Sequence, residues 1–191
     1  MSPEAAAERI RNALDLMKKK EFHGSQAPGL VIGGFMVDTA IRNLPNGIPY
    51  DVICETQTCL PDAVQLLTPC TVGNGWLKII PLGRFAITLY DKYNYEGVRV
   101  FLDAEKAKTW QEIYAWFFKL KSKKEQALEG IIREIGEAGS GILSMRRVNV
   151  RPEVVKKTHK GKIAVCPQCG EAYPLDNGKL CLACQGGSPY L

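Results

Sequence analysis

Four cysteines near the C-terminal end constrain this chain more than any other feature of its sequence. They form two C-x2-C pairs separated by eleven residues: Cys166, Cys169, Cys181 and Cys184. Two residues between thiolates let both sulfurs converge on one tetrahedral ion, and Gly170 after the first pair permits the tight turn that this needs. The spacing therefore predicts one structural zinc. A site closed by four thiolates has no position for water, so we expect the zinc to stabilise the fold or an interaction surface rather than to catalyse hydrolysis.

Two disulfides, or a redox-active dithiol pair, are the alternatives for these cysteines. The sequence begins Met1-Ser2-Pro3-Glu4 and shows no apolar region typical of a secretion signal, so we expect a cytoplasmic protein. In a reducing compartment C-x2-C pairs favour metal, and no thioredoxin-like βαβ pattern surrounds them. The longest weakly polar stretch, residues 27–37, is interrupted by glycines and too short to cross a bilayer, so no membrane partner is expected.

Composition and charge divide the chain into three parts. Of the 191 residues, 46% are hydrophobic and 24% charged, which suits one globular domain with a small appendage. Residues 146–162 carry seven Lys/Arg and one Glu, so the net charge of +5 is concentrated there. We predict a core domain over residues 1–150, a basic linker over 151–162 and a zinc-binding module over 163–191.

The zinc module has little chain beyond its ligands. The interval between the cysteine pairs contains Asp-Asn-Gly at 176–178 and should form a hairpin that returns the chain to the metal. Only seven residues follow Cys184, so we expect a zinc ribbon or a treble clef with a stunted last helix. The basic linker could contact nucleic acid, but a solvated connector is the commoner meaning of such a run, so nucleic acid is the less favoured partner.

Hydrophobic spacing and turn residues predict an α+β core. Helices are expected at 2–20, 28–44, 61–67, 103–120 and 123–138. Strands are expected at 50–55, 76–82, 84–91, 97–102 and 142–150, with turns near Gly83 and Asn94. The three middle strands follow one another closely enough for an antiparallel meander, so we predict an antiparallel sheet packed with helices. Glycines in the second helix indicate close packing against a neighbour.

A second group of cysteines, Cys54, Cys59 and Cys70, lies downstream of His23. Cys59 precedes a predicted helix and Cys70 begins a glycine-rich loop, which are positions where a thiolate can be stabilised. A metal or redox role is one interpretation. The other is that these are buried cysteines that only pack.

The residues around this second group resemble a known family. The matching segments are Phe22-His23-Gly24, Pro28-Gly29-Leu30, Glu55-Thr56, Cys59, Asp62-Ala63, Gln65, Cys70-Thr71, Gly73-Asn74-Gly75 and Gly97-Val98-Arg99-Val100. In this order they resemble the E-type subunit of formylmethanofuran dehydrogenase and its relatives over residues 20–102. Many members of that family also carry a C-terminal zinc finger after a basic linker.

The resemblance implies an α+β core that dimerises, a treble-clef-like finger and a connection to the enzyme that fixes carbon dioxide onto methanofuran. The molybdenum or tungsten pterin chemistry of that enzyme lies in other subunits, and this chain lacks the C-x2-C-x2-C runs of iron–sulfur subunits. We therefore expect an accessory protein of one-carbon metabolism, with dehydrogenase subunits and a small-molecule ligand as candidate partners. The aromatic helix at 103–120 is expected to form part of a homodimer interface.

The family's first motif usually reads His-Gly-His, one residue, Cys-Pro-Gly, and its histidines and cysteine are candidate metal ligands. Here Ser25 replaces the second histidine and Ala27 replaces the cysteine. The resemblance thus leaves His23, Cys59 and Cys70 as ligands for a second transition metal in the core, with water in the fourth position. The opposite interpretation is that these three residues are vestigial.

Two functions compete at this stage. In the first, a core pocket holds the second metal near Trp76, and Glu55, Asp62 or Gln65 orients a bound water. The alternative for Glu55 and Asp62 is that they only cap and brace the short helix while Cys70 packs. In the second, the core is a dimeric scaffold, and the zinc finger with its basic linker recognises a protein or nucleic acid.

Overall fold

A five-stranded sheet organises the larger part of the protein. The computed structural model describes residues 27–156 and 161–190, and the chain divides into two compact units with a boundary between Val155 and Lys156. The sheet order is β2-β1-β3-β4-β5, with strands β1 (Tyr50–Cys54), β2 (Leu77–Ile79), β3 (Ala86–Asp91), β4 (Glu96–Leu102) and β5 (Leu143–Asn149). The predicted first helix at 2–20, His23 and Ser25 lie outside the described residues.

Six α-helices accompany this sheet in the described part of the chain, and the first two of them pack against its strands. They are α1 (Pro28–Arg42), α2 (Leu60–Leu67), α3 (Ala104–Ala107), α4 (Gln111–Phe117), α5 (Leu128–Ala138) and α6 (Pro152–Val155). Alternate residues of the central strands, such as Val52, Leu89 and Val100, are fully buried beneath them. The predicted α+β architecture is therefore confirmed, and no helix among the described residues is long and apolar enough to span a membrane.

The predicted antiparallel meander is wrong at its first strand. β2 pairs with β1 in parallel, and β1 lies between β2 and β3. The helix α2 carries the chain across so that β2 runs in the same direction as β1. Beyond β2, Ile80 and Leu82 still donate backbone hydrogen bonds to β1 and the residue after it, at Cys54 and Glu55, rather than to β3. The remaining strand pairs, β1–β3, β3–β4 and β4–β5, are antiparallel.

Small residues bring α1 and α2 together. A Cβ at Gly33 would lie 2.6 Å from the Cβ of Ala63 and 3.0 Å from a methyl of Leu60. One turn earlier, a Cβ at Gly29 would lie 3.0 Å from the sulfur of Cys59. Because only glycine leaves room for this approach, the close packing predicted for the second helix is confirmed.

The long aromatic helix predicted at 103–120 is two short helices. Asp103 caps α3 by accepting hydrogen bonds from Glu105 and Lys106. Trp110 then adopts an extended conformation (φ −116°, ψ 95°), which breaks the helix before α4 begins. The helix predicted at 123–138 starts only at Leu128, because the preceding residues form a turn closed by hydrogen bonds from Ser122 to Glu125.

The smaller unit is a two-stranded sheet with turns. β6 (Ile163–Val165) pairs antiparallel with β7 (Ala172–Pro174), so these strands flank the first cysteine pair. The sequence predicts a hairpin between the two pairs, but residues Leu175–Asn177 form a single 3-10 turn there. A short helical segment, Ala183–Gly187, contains Cys184, the last cysteine of the second pair.

Candidate metal centre

The turn between β6 and β7 shapes the first half of the four-cysteine site. The backbone N–H of Cys166 donates to the carbonyl of Glu171 at 2.8 Å, and that of Gly170 donates to the carbonyl of Cys166 at 2.9 Å. Gly170 has a φ of 77°, which glycine adopts without strain. This tight turn aims both thiols of the pair to one side of the strands, as the C-x2-C-Gly pattern predicts.

The second cysteine pair supplies the other side of the site. The four sulfurs, of Cys166, Cys169, Cys181 and Cys184, all lie within 4.8 Å of one another. The sulfurs of Cys169 and Cys181 are 3.7 Å apart, and two thiolates on a tetrahedral zinc with bonds of about 2.3 Å are separated by about 3.8 Å. The four thiols therefore fit one zinc ion.

The acidities of the thiols also suit a bound cation. Backbone hydrogen bonds from Cys181 and Cys169 lower the pKa of Cys166 to about 6, so its thiolate forms readily. The neighbouring Cys181 thiol instead raises the pKa of Cys184 to about 12. Four thiols this close cannot all ionise without a compensating positive charge. A divalent ion that replaces their protons relieves that repulsion.

Two residues that the sequence analysis missed support the site. Tyr173 is buried beside Cys166 and Cys181, and its hydroxyl donates to the Gly178 carbonyl at 3.0 Å. The amide of Gln185 donates to the Leu180 carbonyl at 2.6 Å. The first bond ties the interval between the cysteine pairs to β7, and the second ties it to the helical segment that contains Cys184. The available signal for Tyr173 was that it is the one aromatic residue between the two cysteine pairs.

The thiol of Cys59 lies where α2 meets α1. Cys59 has a φ of 57° and a ψ of −52°, and the backbone N–H of Leu60 donates across it to the Thr58 carbonyl at 2.6 Å. This is a classic γ-turn, a strained conformation that is rare for a residue with a side chain. Burial, followed by the Asp62 charge, raises the pKa of the Cys59 thiol.

Cys70 lies beyond the other end of the same helix. It is fully buried, and its thiol contacts the Tyr50 carbonyl at 3.6 Å, at the first residue of β1. The eight residues of α2 span about 12 Å. Cys70 contacts the first residue of β1, whereas Cys59 and the ring of Phe85 both lie against Gly29, and Phe85 precedes β3 at the other end of β1. The two thiols thus lie at opposite ends of β1, farther apart than two thiolates on one ion. The full set with His23 stays a prediction.

Glu55 faces away from the cysteines and is held by two arginines. Arg99 donates to both carboxylate oxygens at 2.6 and 2.8 Å, and Arg84 lies 2.7 Å from the second oxygen. Burial alone would raise the pKa of Glu55, but the hydrogen bonds and charges of the arginines outweigh it and lower the pKa. This carboxylate is thus an ionised partner in an ion-pair network, which leaves it poorly suited to orient a metal-bound water.

Gln65 and Trp76, which the sequence analysis places beside the core metal, make other contacts. Gln65 accepts a hydrogen bond from the backbone of Val72 at 3.3 Å, in the glycine-rich loop after α2. Trp76 is half-buried, and the ammonium of Lys92 lies 3.7 Å from its ring centre. Among the described residues, the four-cysteine cluster is the one group of three or more ligand side chains close enough to share an ion.

Comparison with known proteins gives matches over nearly the whole chain. Residues 22–150 match the family described as FmdE, molybdenum formylmethanofuran dehydrogenase operon. Residues 157–191 match the FmdE treble clef zinc finger. Among solved structures, a tungsten formylmethanofuran dehydrogenase FmdE-like protein from Syntrophus aciditrophicus is 59% identical, with a TM-score of 0.84 and 95% of each chain covered.

A curated relative matches over a smaller share of its own length. It is a probable S-adenosyl-L-methionine-binding protein of Archaeoglobus fulgidus, 30% identical over 193 residues, which cover 90% of this chain and 52% of the relative. The chain thus spans about half the length of that relative.

Proposed function

The chain belongs to the FmdE family, and from that premise we propose that it is a metal-binding accessory protein of one-carbon metabolism, related to the E-type subunit of formylmethanofuran dehydrogenase. The observation that carries this proposal is the joint match of core and treble-clef finger, together with four thiols that fit one zinc ion. In this role the protein assists dehydrogenase subunits that hold the redox cofactor. The S-adenosyl-L-methionine binding in the name of the Archaeoglobus relative is a property of that protein, of which the match covers 52%.

The zinc of the finger would be structural. Cys166, Cys169, Cys181 and Cys184 would hold it, and with four thiolates the ion has no open position for a substrate. Its contribution is the folding free energy of a unit whose two short strands bury few apolar side chains.

A second metal in the core would be held at the start of α2. Cys59 lies against Gly29 near the beginning of α1, so a ligand contributed from the preceding chain, His23, is the natural companion. Cys70, at the far end of α2, serves packing in this arrangement. A thiolate, an imidazole and water are ligands that zinc and related transition ions accept.

Metal analysis tests both sites. Full-length protein purified without added metal is compared with a chain that ends at Lys160, and we expect about two equivalents in the first and about one in the second. Cys59→Ser should remove the core metal, while the matched Cys70→Ser should retain it. If only the full-length chain carries metal, and only one equivalent, the core site is vestigial and the structural zinc still stands.

The homodimer also belongs to this proposal. Ile113 of α4 is fully buried in its own core, but Phe118, Leu120 and Leu128 remain 41%, 64% and 38% exposed. A second copy of the chain would cover these apolar side chains. Light scattering should give twice the monomer mass, and Leu120→Lys should shift it toward the monomer; a wild-type monomer at micromolar concentration would refute the dimer.

A further inference from the structure

A cleft of about 430 Å³ opens at the turn end of the β3–β4 hairpin. One wall is apolar and comes from the chain after α1, with Leu44, Pro45 and Ile48. The other lining residues are mostly polar and belong to the hairpin and to the last residues of β5. The volume of the cleft falls within the range of pockets that bind small molecules. No residue of the metal sites lines it.

Three charged side chains line the polar side: Asp91, Glu96 and Arg147. The described residues form eight ion pairs, and none of these three side chains takes part in any of them. One oxygen of Asp91 accepts a hydrogen bond from the backbone of Tyr93 at 2.7 Å, which fixes that carboxylate in place. The cleft therefore presents both signs of charge, uncompensated.

The strand register shows that Glu96 and Arg147 are near each other but are not a directly opposite cross-strand pair. Glu96 lies opposite Asn149, and Arg147 lies opposite Val98. The two charged residues are thus diagonal neighbours, about 7–8 Å apart, on the face of the sheet that carries the buried Val98. A small molecule can fit between them and meet one carboxylate and one guanidinium at the same time.

We propose that this cleft binds a small zwitterion with an apolar side chain, the chemical class of free α-amino acids. The ammonium group binds Glu96 and Asp91, and the carboxylate binds Arg147, whose planar fork suits a carboxylate. The side chain lies on the wall formed by Leu44, Pro45 and Ile48. The amide of Asn94, whose oxygen accepts from the Glu96 backbone at 2.9 Å, presents its NH2 donors at the rim.

The test is calorimetry of the full-length protein with L-phenylalanine and L-methionine as probes. Two analogues of the first probe each lack one charge: phenethylamine has no carboxylate and 3-phenylpropionate has no ammonium. We expect both amino acids to bind and each analogue to bind roughly tenfold more weakly or worse, because a charge-assisted hydrogen bond is lost.

Variants locate the binding. Glu96→Gln and Arg147→Gln should each weaken binding of L-phenylalanine at least about tenfold. Arg146→Gln is the matched control, since Arg146 lies opposite Arg99 on the other face of the sheet and stacks over Phe101 at 5.2 Å; it should leave binding unchanged. Thermal unfolding of each variant confirms that it is folded.

Two results overturn the inference. Either neither amino acid binds the wild type, or binding occurs and Arg147→Gln leaves it at the wild-type strength. Both results leave the metal-binding function untouched, because the metal ligands lie elsewhere in the chain.

Discussion

Gly33→Ala is the sharpest test of how α1 and α2 pack. The added methyl carbon would lie 2.6 Å from the Cβ of Ala63, whereas carbon atoms in good contact are about 3.5–4.0 Å apart. Neither methyl can rotate away, because both are attached directly to helix backbones. The helices would have to separate by about 1 Å.

The expected change in the free energy of unfolding is the difference between two opposing effects. Overpacking of this kind costs about 1–3 kcal/mol, and alanine in place of glycine within a helix gains about 1 kcal/mol. We therefore expect Gly33→Ala to destabilise the core by about 1 kcal/mol. Gly136→Ala in α5 is the matched control, since a Cβ there meets nothing within 4 Å, and it should stabilise by up to about 1 kcal/mol.

Tryptophan fluorescence during urea unfolding measures this directly. All three tryptophans, Trp76, Trp110 and Trp116, belong to the larger unit, so their signal follows the core and not the zinc finger. The double change Gly33→Ala with Ala63→Gly should recover part of the loss, because it removes the opposing methyl. If Gly33→Ala stabilises the core as much as Gly136→Ala does, the reasoning about close packing is refuted.

Three further predictions concern burial and charge. Glu55→Gln should lower the free energy of unfolding by about 3 kcal/mol at pH 7, because two arginines lose their buried partner. Those arginines lower the pKa of Glu55 below its ordinary 4.5, so the stability advantage of the wild type is complete above pH 4.5 and shrinks as the pH falls through the lower pKa of the folded state. Equal differences in urea midpoint at pH 7 and pH 3 would contradict this. Gly97→Ala should destabilise by about 3 kcal/mol, because its Cβ would lie 2.6 Å from the Leu89 carbonyl oxygen; an unchanged midpoint would disprove the clash. Burial raises the pKa of Cys54 to about 11 from 9.0. Iodoacetamide at neutral pH should therefore label this thiol at least about 100-fold more slowly in the folded protein than in urea, which peptide mass mapping can verify. Rapid labelling would show that the thiol is accessible in the folded protein.

Some elements could be predicted because their signals are local. α1, β1 and β5 follow from periodicity and turn residues within a few positions of each element. The split at Trp110 could not be predicted in this way, since the residues on both sides of it favour helix. Contacts made only after folding decide such a break: Glu134 of α5 accepts hydrogen bonds from the backbone N–H groups at the start of α4, at Glu112 and Ile113.

The core site shows the same limit. The motifs placed Cys59, Cys70 and Glu55 in one predicted pocket because they are near one another in the sequence. In the fold, α2 separates the two thiols, and Glu55 projects from the other face of the sheet to meet Arg99, 44 residues away. Neighbours in sequence take opposite faces of a strand, and no local pattern reports which distant side chain each will meet.

By itself, the sequence determined the four-thiol zinc site, the family and the α+β class, because ligand spacing and hydrophobic period are properties of short segments. Tertiary structure alone decided the parallel placement of β2 beside β1, the separation of Cys59 from Cys70, and the cleft with its uncompensated charges. Each of these depends on pairing between segments far apart in the chain, and such pairing is selected by the packing of the whole core rather than by the preference of any one segment.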